Sequence, residues 1–151
     1  MEKPSLIRIL LVDDDEDCRL MIREAMKEGN IENEVYEVRT GEEALDFLYH
    51  RGKYADSPRP GLIYLDIDMP GISGLDVLKE LRSNEQFRAI PIVMMTNLDD
   101  DREKIQAARL GANSYTLKPT SPVRFIQTVI EATNYWISVH ERPKAESEPR
   151  S

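Results

Sequence analysis

The chain has 151 residues, which suits one domain of ordinary size that buries most of its apolar surface in a single core. Its 28 acidic and 20 basic residues give a formal net charge of −8, which argues against nucleic acid as the main ligand because phosphate binding needs a basic face. A single cysteine, short apolar runs and an amino end without a signal-peptide pattern argue against a disulfide framework, a membrane span and secretion, so we expect a cytoplasmic protein.

Short apolar runs alternate with helical patterns along the chain. In chain order the predicted elements are a strand at 7–12, a helix after Asp15, a strand at 34–38, a helix after Thr40 with Glu43 in a capping box, a strand at 62–66, a helix after Ser73, a strand at 92–96, a helix after the acidic turn 99–101, a strand at 114–117 and a last helix opened by Ser121 and Pro122. This alternation predicts parallel pairing, because parallel strands need crossover connections. The first, third and fourth strands are nearly all apolar, as expected when helices cover both faces. The fold class is therefore a three-layer α/β/α sandwich.

Polar residues gather where the predicted strands end. Asp13 and Asp14 follow the first strand, Asp66 ends the third, Thr96 ends the fourth and Lys118 follows the fifth. In such sheets, ligands bind beyond the carboxyl ends of the strands. Three carboxylates, a hydroxyl and an amine are therefore expected on one rim.

Three carboxylates on one rim predict a metal site. Two carboxylates about 4 Å apart repel by roughly 4 kcal/mol at an effective dielectric constant of 20, so the group should recruit a cation. Mg²⁺ suits Asp14 and Asp66 as direct ligands, with Asp13 holding a water. An aspartate beside that ion can attack phosphorus and become an acyl phosphate, with Mg²⁺ and the Lys118 ammonium neutralising the phosphoryl oxygens. The third strand thus ends on a candidate nucleophile, Asp66.

Four segments resemble the receiver domains of two-component response regulators. They are "ILLVDDD", "LIYLDIDMPGISG", "IVMMT" and "GANSYTLKP", and the resemblance runs from Ile7 to about Val139. It implies a flavodoxin-like receiver fold with a five-stranded parallel sheet of order 2-1-3-4-5. We expect a receiver domain at residues 5–140. The charged, proline-containing segment 141–151 lacks apolar periodicity and is expected to be a disordered tail.

The resemblance also implies a role for each rim residue. By position, Asp66 is the phosphoacceptor, Asp13 and Asp14 are metal-site acids, the backbone carbonyl of Asp68 is a further metal ligand, Thr96 and Tyr115 are the switch pair, and Lys118 is the phosphate-side cation. A protein of this kind takes a phosphoryl group from a sensor histidine kinase with Mg²⁺ and signals by changing its interaction surface. It would be a signalling protein that catalyses only its own phosphoryl transfer and dephosphorylation.

Other features bear on the subgroup and on the lifetime of the phosphoryl group. The segment "FLYHRGKYADSPRPGLIYLDIDMP" resembles single-domain regulators that partner bacterial phytochrome-type sensor kinases. Asn97 stands where the family more often has alanine or serine. Asp68 and Leu98 flank the path of attacking water, and the apolar Leu98 suggests slow hydrolysis.

Two other functions remain open at this point. The Asp-x-Asp of "LDIDMP" also fits haloacid-dehalogenase-type phosphatases, in which the first aspartate is a nucleophile and the second a general acid. That motif belongs on the first strand of a longer chain, whereas here it ends the third. The other alternative is a receiver-like interaction module that takes no phosphate, against which the full set of rim residues argues.

The predicted partners are a sensor histidine kinase and a second copy of the chain, with neither nucleic acid nor a membrane. We expect a homodimer through the fourth helix, the fifth strand and the last helix. The apolar residues expected to serve this surface are Phe125, Val129, Tyr135, Trp136 and Ile137.

Overall fold

Strands and helices alternate along the part of the chain that the computed structural model describes, residues 6–97, 99–118 and 121–141. The elements are β1 (Ile9–Val12), α1 (Glu16–Glu28), β2 (Val35–Val38), α2 (Gly41–Tyr49), a short 3-10 helix (Gly52–Tyr54), β3 (Leu62–Asp66), α3 (Gly74–Arg82), β4 (Ile92–Thr96), α4 (Asp101–Leu110), β5 (Ser114–Leu117) and α5 (Pro122–Glu141). Leu98 and the predicted tail beyond residue 141 lie outside the described residues, so the expectations about them stay predictions.

The five strands form one parallel sheet. Their order is β2-β1-β3-β4-β5, which confirms the predicted topology. Every residue of β1, β3 and β4 is buried, as the nearly continuous apolar runs predicted for strands in the middle of a covered sheet. The carboxyl ends of these strands consequently lie side by side at one edge of the sheet.

The core consists of two apolar layers, one on each face of the sheet. Successive side chains of a strand point to opposite faces. Leu10 and Ile63 accordingly pack in the layer that includes residues of α2, α3 and α4, whereas Ile9 and Leu62 pack in the layer that includes residues of α1 and α5. The helices therefore cover both faces, which confirms the three-layer sandwich.

The apolar residues of α5 do not all form the predicted outer surface. Phe125 and Val129 are each only 1 % exposed and pack in the core layer beneath α5 and α1, so the expectation that they offer a surface to a second copy was wrong. Trp136 and Ile137 are partly buried against the same layer. Tyr135, 59 % exposed, is the member of the predicted set that faces solvent.

The start of α3 is fitted closely against the end of β3. Ser73 caps the helix in a capping box with Asp76, since each side chain bonds to the other's backbone N–H. A Cβ at Gly74 would lie 2.1 Å from the carbonyl oxygen of Asp66, and the N–H of Gly74 donates to the carbonyl of Ile67 at 3.0 Å. Only glycine permits this approach, which fixes the backbone at the site described next.

No helix in the described ranges has the length and apolar character needed to cross a lipid bilayer.

Candidate functional site

The ends of β1 and β3 bring three carboxylates together. Asp13, Asp14 and Asp66 each offer a ligand oxygen, and these oxygens lie within 4.8 Å of one another. Asp13 and Asp66 are buried, whereas Asp14 is exposed. Burying ionised acids this close together is unfavourable without a counter-charge. The predicted acidic rim is thus present, open to solvent on the side of Asp14.

Asp13 is held by bonds to both of its carboxylate oxygens. Oδ1 accepts the backbone N–H of Asp15 at 2.9 Å, and Oδ2 accepts the Lys118 ammonium at 2.8 Å. The Cys18 thiol also forms a hydrogen bond with the Asp13 carboxylate. Burial, and to a lesser extent this hydrogen bond, raise the pKa of the thiol. Cys18 therefore stays a protonated, buried residue, and Asp13 has little freedom to turn.

Lys118 provides the positive charge of the site. Its Nζ lies 2.8 Å from Asp13 Oδ2 and 3.3 Å from Asp66 Oδ1. Its backbone N–H donates to the carbonyl of Thr96 at 2.7 Å, which places the residue directly after β5 next to the end of β4. Burial by itself would lower the pKa of Lys118, but the hydrogen bond and the charge of Asp13 raise that pKa above its ordinary value. The amine is therefore an ammonium at physiological pH.

Asp66 is the least satisfied group on the rim. It is 2 % exposed, and its Oδ1 has no hydrogen-bond partner among the described residues, although Lys118 forms an ion pair with it. Burial, and then the charge of Asp13, raise the pKa of Asp66 from 3.8 to about 7, against the opposite effect of Lys118. One ammonium does not neutralise three carboxylates. A hard divalent cation with oxygen ligands fits this donor set and would supply the missing charge.

Thr96 and Tyr115 lie on the two strands beyond β3: Thr96 ends β4, and Tyr115 is in β5. The Thr96 hydroxyl donates to Oδ2 of Asp68 at 3.2 Å. The Tyr115 hydroxyl donates to Oε1 of Glu103 in α4 at 2.7 Å. The Thr96 hydroxyl is also within hydrogen-bonding reach of the Tyr115 hydroxyl, which can accept its proton in place of Asp68. Burial, and then the Glu103 hydrogen bond, raise the pKa of Tyr115 above its ordinary value. Thr96 thus sits between the acidic site and α4.

Some contacts at the site were not predicted from the sequence. Asp68 was expected to offer its backbone carbonyl to the metal and to flank the path of attacking water, but the bond that its carboxylate accepts from the Thr96 hydroxyl was not predicted. The bond from Glu103 to Tyr115 was also missed, because it joins two elements whose facing sides the sequence does not specify. Arg19 was missed as well: it is buried in α1 and contacts the backbone of Asp13. The available signal was its spacing of three and seven residues from the buried Ile22 and Met26.

The sequence and the fold are both similar to those of known proteins. The family model described as the response regulator receiver domain matches residues 9–130. The response regulator Rcp1 of Synechocystis sp. is 31 % identical over 137 residues, which cover 91 % of this chain and 93 % of that protein. The structure of the phosphorylated cyanobacterial phytochrome response regulator RcpA superposes with a TM-score of 0.85 at 30 % identity and covers 89 % of this chain and 96 % of that one. The structure of the Mn²⁺-bound form of Rcp1 superposes with a TM-score of 0.82 at 31 % identity, and the match covers 87 % of this chain and 94 % of that one.

Proposed function

The chain belongs to the response regulator receiver domain family, and from this premise we propose that Asp66 accepts a phosphoryl group from a sensor histidine kinase. One observation carries the proposal: the Asp66 carboxylate is buried at the mouth of the sheet, and its Oδ1, which accepts no hydrogen bond from the described residues, lies 3.3 Å from the Lys118 ammonium. A structural aspartate would have its oxygens satisfied by hydrogen bonds. A nucleophile needs an oxygen that no hydrogen bond holds and a nearby positive charge, and the Oδ1 of Asp66 meets both conditions among the described residues.

The transfer makes one bond and breaks one. An Asp66 oxygen attacks the phosphorus of a phosphohistidine, the new O–P bond forms, the P–N bond breaks, and the imidazole takes up a proton as it leaves. Lys118 faces the phosphoryl oxygens and neutralises part of their charge. Mg²⁺ would stabilise the remaining charge. As the switch threonine, Thr96 would donate a hydrogen bond to a phosphoryl oxygen once Asp66 is modified.

Mg²⁺ would be held by the acidic rim. Asp14 and Asp66 would be direct ligands together with the backbone carbonyl of Asp68. Both carboxylate oxygens of Asp13 are already bonded, to the Asp15 N–H and to Lys118, which favours the predicted role of Asp13 in holding a metal-bound water. The exposure of Asp14 leaves an entrance for the ion.

The signal would pass from Thr96 to Tyr115 and α4. A phosphoryl oxygen would compete with Asp68 for the Thr96 hydroxyl, and a change at Thr96 would reach Tyr115 and its bond to Glu103. One hydrogen bond to a charged oxygen is worth only about 1.5–3 kcal/mol, whereas inverting a 1:99 population takes about 5.5 kcal/mol. Thr96 therefore needs the Lys118 contact and a partner that favours the phosphorylated form.

The partners follow from the similarity and from the exposed surface. A phytochrome-type kinase as partner is supported by the similarity to the phytochrome response regulator RcpA. The receiver domain would span residues 5–140, and the protein would act in the cytoplasm. A homodimer through α4, β5 and α5 is supported by exposed apolar side chains on these elements. They are Ile105, Leu117, Val123, Tyr135 and Val139.

Incubation with Mg²⁺ and acetyl phosphate tests the proposal against its two alternatives. The wild type should gain one phosphoryl group, followed by intact mass, and Asp66→Asn should gain none. Steady release of inorganic phosphate from added phosphomonoesters would instead indicate a phosphatase. No incorporation by a folded wild type would indicate an interaction module that takes no phosphate.

A further inference from the structure

Arg19 is a buried cation that contacts the acidic site from beneath. Its side chain is 6 % exposed. One guanidinium nitrogen donates to the backbone carbonyl of Asp13 at 2.7 Å, and Nε donates to Oε1 of Glu37 at 3.0 Å. Glu37 lies on β2, so Arg19 connects α1, the end of β1 and the outer strand of the sheet.

An arginine is a costly way to fill this position if packing is its only purpose. Removing a charge from water offsets much of what a buried ion pair contributes to folding, and apolar replacements of similar volume are often as stable. Arg19 lies on the same side of α1 as Ile22 and Met26, where an apolar side chain would pack against the same core layer. What only arginine supplies is a rigid fork of donors that can serve two acceptors at once.

The bond to Asp13 controls a particular peptide plane. The ladder between β1 and β2 ends at Val12 and Val38, and the N–H of Asp13 still donates to the carbonyl of Val38 at 3.1 Å. The carbonyl of Asp13 comes after this ladder and belongs to the peptide unit that links Asp13 to Asp14. Arg19 takes the place of a strand partner for that carbonyl. Holding this unit constrains the backbone from which both carboxylates extend.

We propose that Arg19 is a positioning residue of the metal site, which holds the peptide between Asp13 and Asp14 so that their carboxylates face the ion and its water. The inference rests on the proposed Mg²⁺ site. Groups that orient metal ligands without touching the metal commonly change metal affinity by 10–100-fold. Arg19→Met, which keeps an unbranched apolar side chain in place, should therefore weaken Mg²⁺ binding by about tenfold.

Arg23 offers a matched control one turn further along α1. It also pairs with Glu37, through a bond of 2.6 Å to Oε1, and among the contacts of the described residues it has none with Asp13. Arg23→Met and Arg19→Met each remove one cation from Glu37. Only Arg19→Met also removes the bond to the Asp13 carbonyl, so the comparison separates the positioning of the metal site from the loss of an ion pair.

The experiment titrates Mg²⁺ into the wild type and both variants by calorimetry, with urea unfolding of each protein in the absence of Mg²⁺. The expected result is cooperative unfolding of all three, an unchanged Mg²⁺ dissociation constant for Arg23→Met, and a constant about tenfold higher for Arg19→Met. Arg19→Lys is the second variant. Its ammonium can reach one acceptor but cannot span both, so it should show a smaller rise in the constant and takes the place of Arg19→Met if that variant does not fold.

Two failures can be told apart. A folded Arg19 variant that binds Mg²⁺ as tightly as Arg23→Met would overturn the positioning role and leave the metal site standing. A wild type that does not bind Mg²⁺ would overturn the metal site itself, and this inference with it.

Discussion

The pKa of Asp66 makes the stability of the metal-free protein depend on pH. Burial, and then the charge of Asp13, raise this pKa from 3.8 to about 7 in the folded state. Between about pH 4 and pH 7 the folded chain thus binds a proton that the unfolded chain has lost, and the free energy of unfolding falls as the pH rises through this window. A difference of about three pKa units corresponds to at most about 4 kcal/mol. Asp66→Asn removes the titrating group, so the free energy of unfolding of this variant should not fall in this way as the pH rises.

The assay is urea unfolding with a chelator present, from pH 4 to pH 8. At pH 8 we expect Asp66→Asn to be more stable than the wild type by up to about 4 kcal/mol, with the difference shrinking toward zero near pH 4. Asp56→Asn, which removes an exposed aspartate outside the site, controls for the loss of one negative charge. Added Mg²⁺ should raise the stability of the wild type at pH 8, because it binds the folded chain. A stability difference between Asp66→Asn and wild type that is the same at pH 4 and pH 8 would refute the reasoning.

Three further predictions concern the metal, the backbone and the surface. Asp14→Asn should abolish Mg²⁺ binding measurable by calorimetry, because it removes a metal ligand. Its free energy of unfolding should be equal to that of the wild type or higher, because the change relieves carboxylate repulsion. An unchanged Mg²⁺ affinity would exclude Asp14 from the site. Gly74→Ala should destabilise the protein and slow its phosphorylation, since the new Cβ would lie 2.1 Å from the carbonyl oxygen of Asp66. Gly29→Ala is the control: its Cβ would come no closer than 3.1 Å to any atom, so it should cost far less in urea unfolding. Tyr135→Ala, at an exposed position, should weaken a phosphorylation-dependent dimer in sedimentation equilibrium without destabilising the monomer; association insensitive to both phosphodonor and this change would exclude the proposed interface.

The fold and the rim could be predicted because both depend on local patterns and on one topological rule. The apolar runs of β1, β3 and β4 identified the central strands, and parallel pairing places their carboxyl ends on one edge. Asp13, Asp66 and Lys118 could therefore be assigned to one site, although more than 100 residues separate the first from the last.

The rest depends on contacts that no local pattern specifies. The helical period of α1 places Arg19 on the buried side of the helix, but it does not specify the partner, Glu37, which lies in another element. The bond between Asp68 and Thr96 follows from the path of the loop after β3. The apolar stripe of α5 was recognised by its helical period. That period does not tell whether the stripe faces the protein's own core or another molecule, and in the structure Phe125 and Val129 face the core.

The central claim is that Asp66 is the phosphoacceptor, and mapping the modified residue tests it most directly. After incubation with acetyl phosphate and Mg²⁺, the protein is treated with borohydride to trap acyl phosphate, digested and analysed by mass spectrometry. We predict one modified site, at Asp66, whose phosphoryl group is released by base and by hydroxylamine in an untreated sample. Modification at Asp13, at a serine or at a histidine would contradict the account.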